Sequence, residues 1–234
     1  MTPVTARGFI YARKLYHPLC TLFIARVPRM CYNRAAAGHT GFSAGRLRIR
    51  YKGDGMIESI NVFDHSEHII KALGKGVLLN TSGDKFNSMV IGWGHLGIIW
   101  GQPTFAVYVR EHRYTKPQLD RTREFTVSIP LGAPDPEINR ICGMESGRNI
   151  DKAEKAKLDL VPARTINTPA VRQYPLTLEC RVLYARKQDL ALLPEEIRRR
   201  AYPSDVSGDA PLANMDAHTA YRGQIVDAYI IRED

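Results

Sequence analysis

The segment Lys75–Lys116, KGVLLNTSGDKFNSMVIGWGHLGIIWGQPTFAVYVREHRYTK, constrains this chain more than any other stretch. Val77–Leu79 is an apolar run that reads as a buried strand. Ser82-Gly83-Asp84-Lys85 supplies turn residues and Phe86–Ile91 returns as a second run, so the two form a hairpin. Gly92-Trp93-Gly94-His95 follows, with a large aromatic between two glycines. A further strand, Thr104–Val109, ends in the cations Arg110, His112, Arg113 and Lys116. Glycines let a backbone approach a flat ligand closely, and a strand-end cation cluster suits a phosphate. A planar ring with a phosphate tail uses both features. An ordinary barrel turn beside a solvated charge cluster presents the same residues.

The regular pattern starts at Met56. Asp64, with Glu67 three residues on, reads as a capping box opening a helix over Asp64–Leu73, ended by Gly74. Thr115 reads as the cap of a helix reaching about Arg121, with Pro117 in its first turn. Glu124–Pro130 is a strand alternating in Phe125, Val127 and Ile129. Pro134–Met144 is a helical turn and Asn149–Lys157 a charged helix, joined by Ser146-Gly147-Arg148, which either approaches a ligand or turns the chain. Leu176–Tyr184 is a strand with Cys180 in the core and Thr177, Glu179 and Arg181 on a polar-leaning face. Pro194–Arg200 is a short charged helix, Tyr202–Met215 a loop, and Thr219–Ile231 a long closing strand. Six or more strands with short helices and no βαβ alternation favour a mainly β, α+β class: an antiparallel barrel rather than a Rossmann sheet. No GxGxxG or Walker motif is present.

Charge divides the chain. Of 33 Lys and Arg and 24 Asp and Glu, residues 1–55 hold ten bases and one acid, Asp54. The net charge of +9 therefore belongs to that segment, and the body, 56–234, is neutral. A nucleic-acid-binding protein would have to work through the N-terminus alone, a remote alternative. The segment itself reads as a transit peptide, a nucleic-acid arm, or an extension upstream of a working start at Met56; little fixed structure is expected there, and the third reading is preferred. No run of about 18 apolar residues suggests a membrane span. Four scattered cysteines without CxxC exclude a disulfide framework and a zinc pattern, so no metal is expected and a reducing, cytoplasmic setting is.

Taken together, the motifs resemble the flavin reductase-like, FMN-binding split-barrel family, most closely its flavoredoxin-type branch. The residues that carry the likeness are Lys75–Leu79, Asn87–Gly94, Trp100-Gly101-Gln102-Pro103, Arg110–Lys116, Cys142-Gly143, Ser146-Gly147-Arg148, Asp151-Lys152, Pro175–Cys180 and His218–Tyr221. Each motif is weak alone; their order and spacing are specific. The resemblance implies a split barrel, usually a homodimer with FMN near the interface, taking electrons or hydride, NAD(P)H being the expected donor, and passing them to a redox partner. A non-catalytic flavin-binding electron carrier or module is the alternative.

On this reading Asn87 meets the ring's polar edge, Met89, Ile91 and Trp93 pack against the ring, and Gly92, Gly94 and His95 complete that turn. Arg110, Arg113, Tyr114, Thr115 and Lys116 serve the phosphate. His218 is placed near the approaching nicotinamide, so His218 and Asn87 are the candidates for work at the reacting ring. Cys142 is either a redox thiol beside the flavin or a small buried hydrophobe.

Overall fold

The computed structural model describes residues 48–50 and 56–232. These lie within one compact unit, Ala44–Asp234. The first strands are β1 (Arg48–Arg50) and β2 (Met56–Ser59), paired antiparallel with Ile49 opposite Ile57. The remaining expectations for residues 1–55 lie outside the described residues.

A 3-10 turn (Val62–His65) leads into α1 (Ser66–Leu73). The expected cap is misplaced by one short turn. Asn61, not Asp64, caps, its side chain accepting from the Phe63 amide at 3.2 Å, so Asp64 falls inside the 3-10 turn. Both residues are good caps, and an Asx side chain takes whichever amide the entering backbone presents.

Strands β3 (Val77–Ser82) and β4 (Phe86–Ile91) form the expected hairpin. A second hairpin follows, β5 (Gly94–Ile99) and β6 (Gln102–Arg110). Its first strand is absent from the sequence reading, because two glycines dilute the apolar pattern. Trp100 and Gly101 turn it, with φ of 54° and 70°. Then come α2 (Thr115–Thr122), β7 (Glu124–Ile129), α3 (Pro136–Met144) and α4 (Lys152–Lys155). Asp135 and Asp151 cap α3 and α4 through their carboxylates. The short pair β8 (Leu160–Val161) and β9 (Ala170–Val171) precedes β10 (Leu176–Lys187), α5 (Glu195–Ala201) and β11 (His218–Arg232).

The nine-stranded sheet follows the order β1-β2-β11-β10-β7-β3-β4, and β6 pairs with both β11 and β5. Every pairing between the described strands is antiparallel. The mainly β, antiparallel expectation therefore holds.

Strand β11 is the hub. It faces β10 from Thr219 to Ile230, while its first half pairs with β6 and its last residues with β2. One long strand can serve two neighbours on one side because twist carries its ends apart. The sheet curls around a core of Leu79, Phe105, Val107, Phe125, Val127, Leu178 and Tyr221. Burying such side chains stabilises by roughly 1.5–3 kcal/mol each.

Part of the face of β10 expected to be polar is buried: Thr177 and Glu179 are both 0 % exposed, while Arg181 on the same face is exposed. The chain at Arg164 and Thr165 crosses that face and satisfies the Glu179 carboxylate with two backbone amides and the Thr165 hydroxyl. A buried carboxyl group is tolerated when its oxygens are hydrogen-bonded. A second apolar cluster sits outside β3 and β4, where Ile138, Ile141 and Cys142 of α3 pack on Leu78 and Tyr174. It holds α3 and α4 against the exit of β4. Among the described residues, no helix is long and apolar enough to cross a membrane, and no cluster of metal-ligating side chains occurs.

Candidate functional site

Two adjoining cavities open where β4, β6 and the start of α2 meet. They share Met89, Arg113 and Gly143. The smaller, about 100 Å³, lies between Asn87 on β4, the residues opening α2, and the turn after α3.

Asn87 is 2 % exposed. Its Nδ2 donates to Thr115 Oγ1 at 2.8 Å, while its Oδ1 has no partner among the described residues. Gly147 closes on that oxygen; a Cβ there would lie 2.1 Å from Asn87 Oδ1. The Ser146-Gly147-Arg148 turn is thus a close-approach element, tied across the pocket by Arg148, whose Nη1 donates to the His112 carbonyl at 2.8 Å.

Lys152 gives the pocket its charge. It is 4 % exposed, and its Nζ donates to the carbonyls of Ser88 at 2.8 Å and Cys142 at 2.7 Å. Among the described residues it has no carboxylate partner. An ammonium carries three donors, so one is left over. Burial holds its pKa down at about 8, a loss of proton affinity that the neighbouring Cys142 only partly offsets. The acids lining this pocket are already engaged, Glu145 with Arg140 and Lys155, and Asp209 with the Ser207 hydroxyl. A buried, unneutralised cation costs several kcal/mol unless something supplies the opposite charge.

The larger cavity, about 550 Å³, runs along Met89–Trp93. Its opposite wall is α5 and the loop through Pro211, Leu212 and Ala213. Its floor contains His218, which begins β11 directly opposite Arg110 of β6. His218 is 7 % exposed; its Nδ1 lies 2.9 Å from the Tyr202 hydroxyl, and its ring stacks at 4.7 Å on Trp93. Burial, with Arg110 and Arg113 nearby, lowers its pKa to about 3, so the imidazole stays neutral.

Most of the sequence-predicted residues converge here. Asn87, Met89, Arg113, Tyr114 and Thr115 line the small pocket; Met89, Ile91, Gly92, Trp93, Arg110, Arg113 and His218 line the large one. Several occupy different roles from those expected. Lys116 lines neither cavity and pairs with Asp120 at 2.7 Å, as a lysine four residues before an acid on one helix does.

Arg110 reaches the large cavity but spends its donors on the carbonyls of Asn214, Asp216 and Ala201, clamping the loop that forms the far wall. Thr115 is inside α2 rather than its cap, and its hydroxyl receives Asn87. Gly94 needs to be glycine for packing, since a Cβ would meet the Ala106 carbonyl at 2.9 Å, whereas at Gly92 it would make only an ordinary contact, 3.6 Å from the Leu73 carbonyl oxygen. His95 is exposed beside Tyr108 and faces a third, shallower cavity. Cys142 is buried, and burial raises its thiol pKa. Lys152 appears in the sequence only as part of the Asp151-Lys152 motif; its burial was not visible, because α4 is charged along its length.

Residues 70–234 match the sequence model described as the flavin reductase like domain. The chain belongs to that family. No curated protein sequence matches it.

Among solved structures, it is similar to the flavoredoxin of Desulfovibrio vulgaris (Miyazaki F), with 21% identity and a TM-score of 0.49 over 66% of this chain and 68% of that one. The flavoredoxin from Methanosarcina acetivorans gives 21% and 0.48 over 67% and 68%. The Streptomyces globisporus C-1027 NADH:FAD oxidoreductase SgcE6, in complex with NAD and FAD fragments, gives 16% and 0.45 over 66% and 73%. As a flavin reductase like domain, the chain has its split barrel centred on β11, with the two cavities at the exit of β4.

Proposed function

We propose that this chain holds FMN, its phosphate in the small pocket and its ring along Met89–Trp93, and relays electrons from NAD(P)H to an acceptor. The observation that carries this reading is Lys152, a buried ammonium with a spare donor and, among the described residues, no carboxylate bonded to it, in a pocket opening onto an apolar cleft. A phosphate would supply the missing charge.

The rest of the pocket fits the same group. The first turn of α2 turns its amide end to the pocket through Tyr114 and Thr115, a favourable setting for an anion. The unpartnered Asn87 Oδ1 is an acceptor, so it would serve a ring N–H of the flavin rather than the phosphate. Bound FMN would supply reversible two-electron chemistry. The residues of the chain bind, orient and exclude water: Lys152 and Arg113 neutralise charge, Trp93 and Ile91 shape the ring's bed, and neutral His218 offers a hydrogen-bonding group without adding charge.

The homodimer remains part of the proposal. Strand β5 pairs only with β6 among the described strands, and it leaves Ile98 67 % and Trp100 62 % exposed, an apolar edge a second copy would cover. The deciding experiment is titration with FMN and with riboflavin, followed by anaerobic mixing of the loaded protein with NADH or NADPH, watched at about 450 nm. Stoichiometric FMN binding well above riboflavin, then bleaching, is expected. No quenching at tens of micromolar FMN overturns the reading. Binding without bleaching leaves a flavin-binding electron carrier served by a protein donor.

A further inference from the structure

The far wall of the large cavity is built by the chain between β10 and β11, and its charge has no use in holding FMN. Arg200, on α5, lines that wall. Its neighbour Arg199 is paired with Glu195, yet Arg200 makes no hydrogen bond or ion pair among the described residues. Among the described residues, those lining the cavity include Arg110, Arg113 and Arg200 and no carboxylate. Arg110 and Arg113 give donors to backbone carbonyls of the wall, at Asn214, Asp216, Ala201 and Ala210. Arg200 alone of the three keeps its whole fork.

Around it, side chains that water should not favour converge. Trp93 is 47 %, Ile197 41 % and Leu212 81 % exposed, and all three line the same cavity. Trp93 is held as a platform by its stack on His218 and an edge contact with Tyr202. An exposed apolar bed beside an unpaired guanidinium fits a ligand with a planar or apolar body and an anionic group.

On the reading that FMN occupies the small pocket and the Met89–Trp93 edge, we infer that the large cavity takes a second, anionic ligand whose phosphate or carboxylate is received by Arg200. The body of that ligand rests between Trp93, Ile197 and Leu212. A dinucleotide bearing a 2′-phosphate is one source of this chemistry and an aromatic carboxylate another.

The test uses FMN-loaded protein, so that the small pocket is filled. Tryptophan fluorescence is titrated with 2′,5′-ADP, 5′-AMP, benzoate and adenosine, in the wild type, Arg200→Gln and Arg199→Gln. Saturable binding of 2′,5′-ADP or of benzoate is expected, at least tenfold tighter than adenosine. That preference should vanish in Arg200→Gln and survive in Arg199→Gln. Preference for 2′,5′-ADP over 5′-AMP identifies the dinucleotide, and KM for NADPH then rises about tenfold in Arg200→Gln with the change confined to KM. Preference for benzoate identifies a carboxylate substrate. Adenosine binding as tightly as the anions, binding of none of the four, or equal losses in both variants overturns the inference while leaving FMN binding intact. Failure to load FMN removes the underlying reading instead.

Discussion

Gly147 and Asn87 are in contact through a gap that admits no side chain: a Cβ on Gly147 would stand 2.1 Å from Asn87 Oδ1. That approach lets the turn after α3 close the small pocket against β4. It also ties a loop residue to a strand residue 60 positions earlier in the chain. We predict that Gly147→Ala cannot be accommodated without displacing Asn87 from Thr115. Losing that buried hydrogen bond and its packing should lower stability by about 1–3 kcal/mol. FMN affinity should fall with it. Urea unfolding and FMN titration check both; a variant as stable as wild type with unchanged affinity would refute the close-approach role.

Lys152→Met keeps the volume and removes the charge. FMN affinity should drop about tenfold or more, roughly 1.4 kcal/mol, while riboflavin affinity stays level. The variant should otherwise fold as well or better, since a buried ammonium with only carbonyl partners is replaced by an apolar side chain. Equal losses for the two flavins would move the phosphate elsewhere.

Arg113 and Lys116 separate two readings of the basic cluster. Arg113 borders both cavities, while Lys116 is committed to Asp120. Arg113→Ala should weaken FMN about tenfold, and Lys116→Ala should change it by less than about twofold, exposed helix pairs being worth only about 0.3–0.5 kcal/mol. Calorimetry on the two single variants decides; a larger effect at Lys116 would contradict this geometry.

The pH dependence of FMN binding should be bell-shaped. Affinity rises as the phosphate takes its second charge near a pKa of about 6. It falls again as Lys152 loses its proton, above its pKa of about 8 in the free protein, shifted upward once an anion is bound. The sign for folding is opposite. The folded pKa of Lys152 lies below its ordinary 10.5, so its burial opposes folding most at low pH, and the free protein gains stability between pH 8 and 10.5. Lys152→Met should flatten the alkaline limb of binding; an unchanged limb would assign it to another group.

His218 has the converse role in acid. Its pKa falls from 6.5 to about 3 on folding, mainly through burial. Stability from this group is full above pH 6.5 and is lost as pH falls toward 3. His218→Ala should slow anaerobic flavin reduction by NAD(P)H about tenfold, about 1.4 kcal/mol, and leave dithionite reduction unaffected. Wild-type reduction should show no inflection from His218 between pH 5 and 8. Stopped-flow rates across that range test the point: an inflection that disappears in the alanine variant would mean the imidazole titrates in the working protein.

The sequence by itself determined what is local. The alternation in Phe125, Val127 and Ile129, the turn at Ser82–Lys85 and the apolar run of β11 made strands, because burial on one face and turn chemistry are written at short range. The order of motifs carried the family, and Asn87, Met89, Trp93, Arg113 and His218 were legible as residues that gather.

Only the tertiary structure decided what each of them does there. Arg110 and Arg113 are near neighbours in one basic run, yet one clamps a loop and the other borders both cavities. Lys152 and Lys155 belong to the same short charged helix, yet Lys152 is buried under the carbonyls of Ser88 and Cys142 while Lys155 meets Glu145 at the surface. A charged side chain's role depends on which distant backbone groups and carboxylates surround it and on how much water it loses. Those are set by strand pairing across the chain, which short-range pattern does not encode.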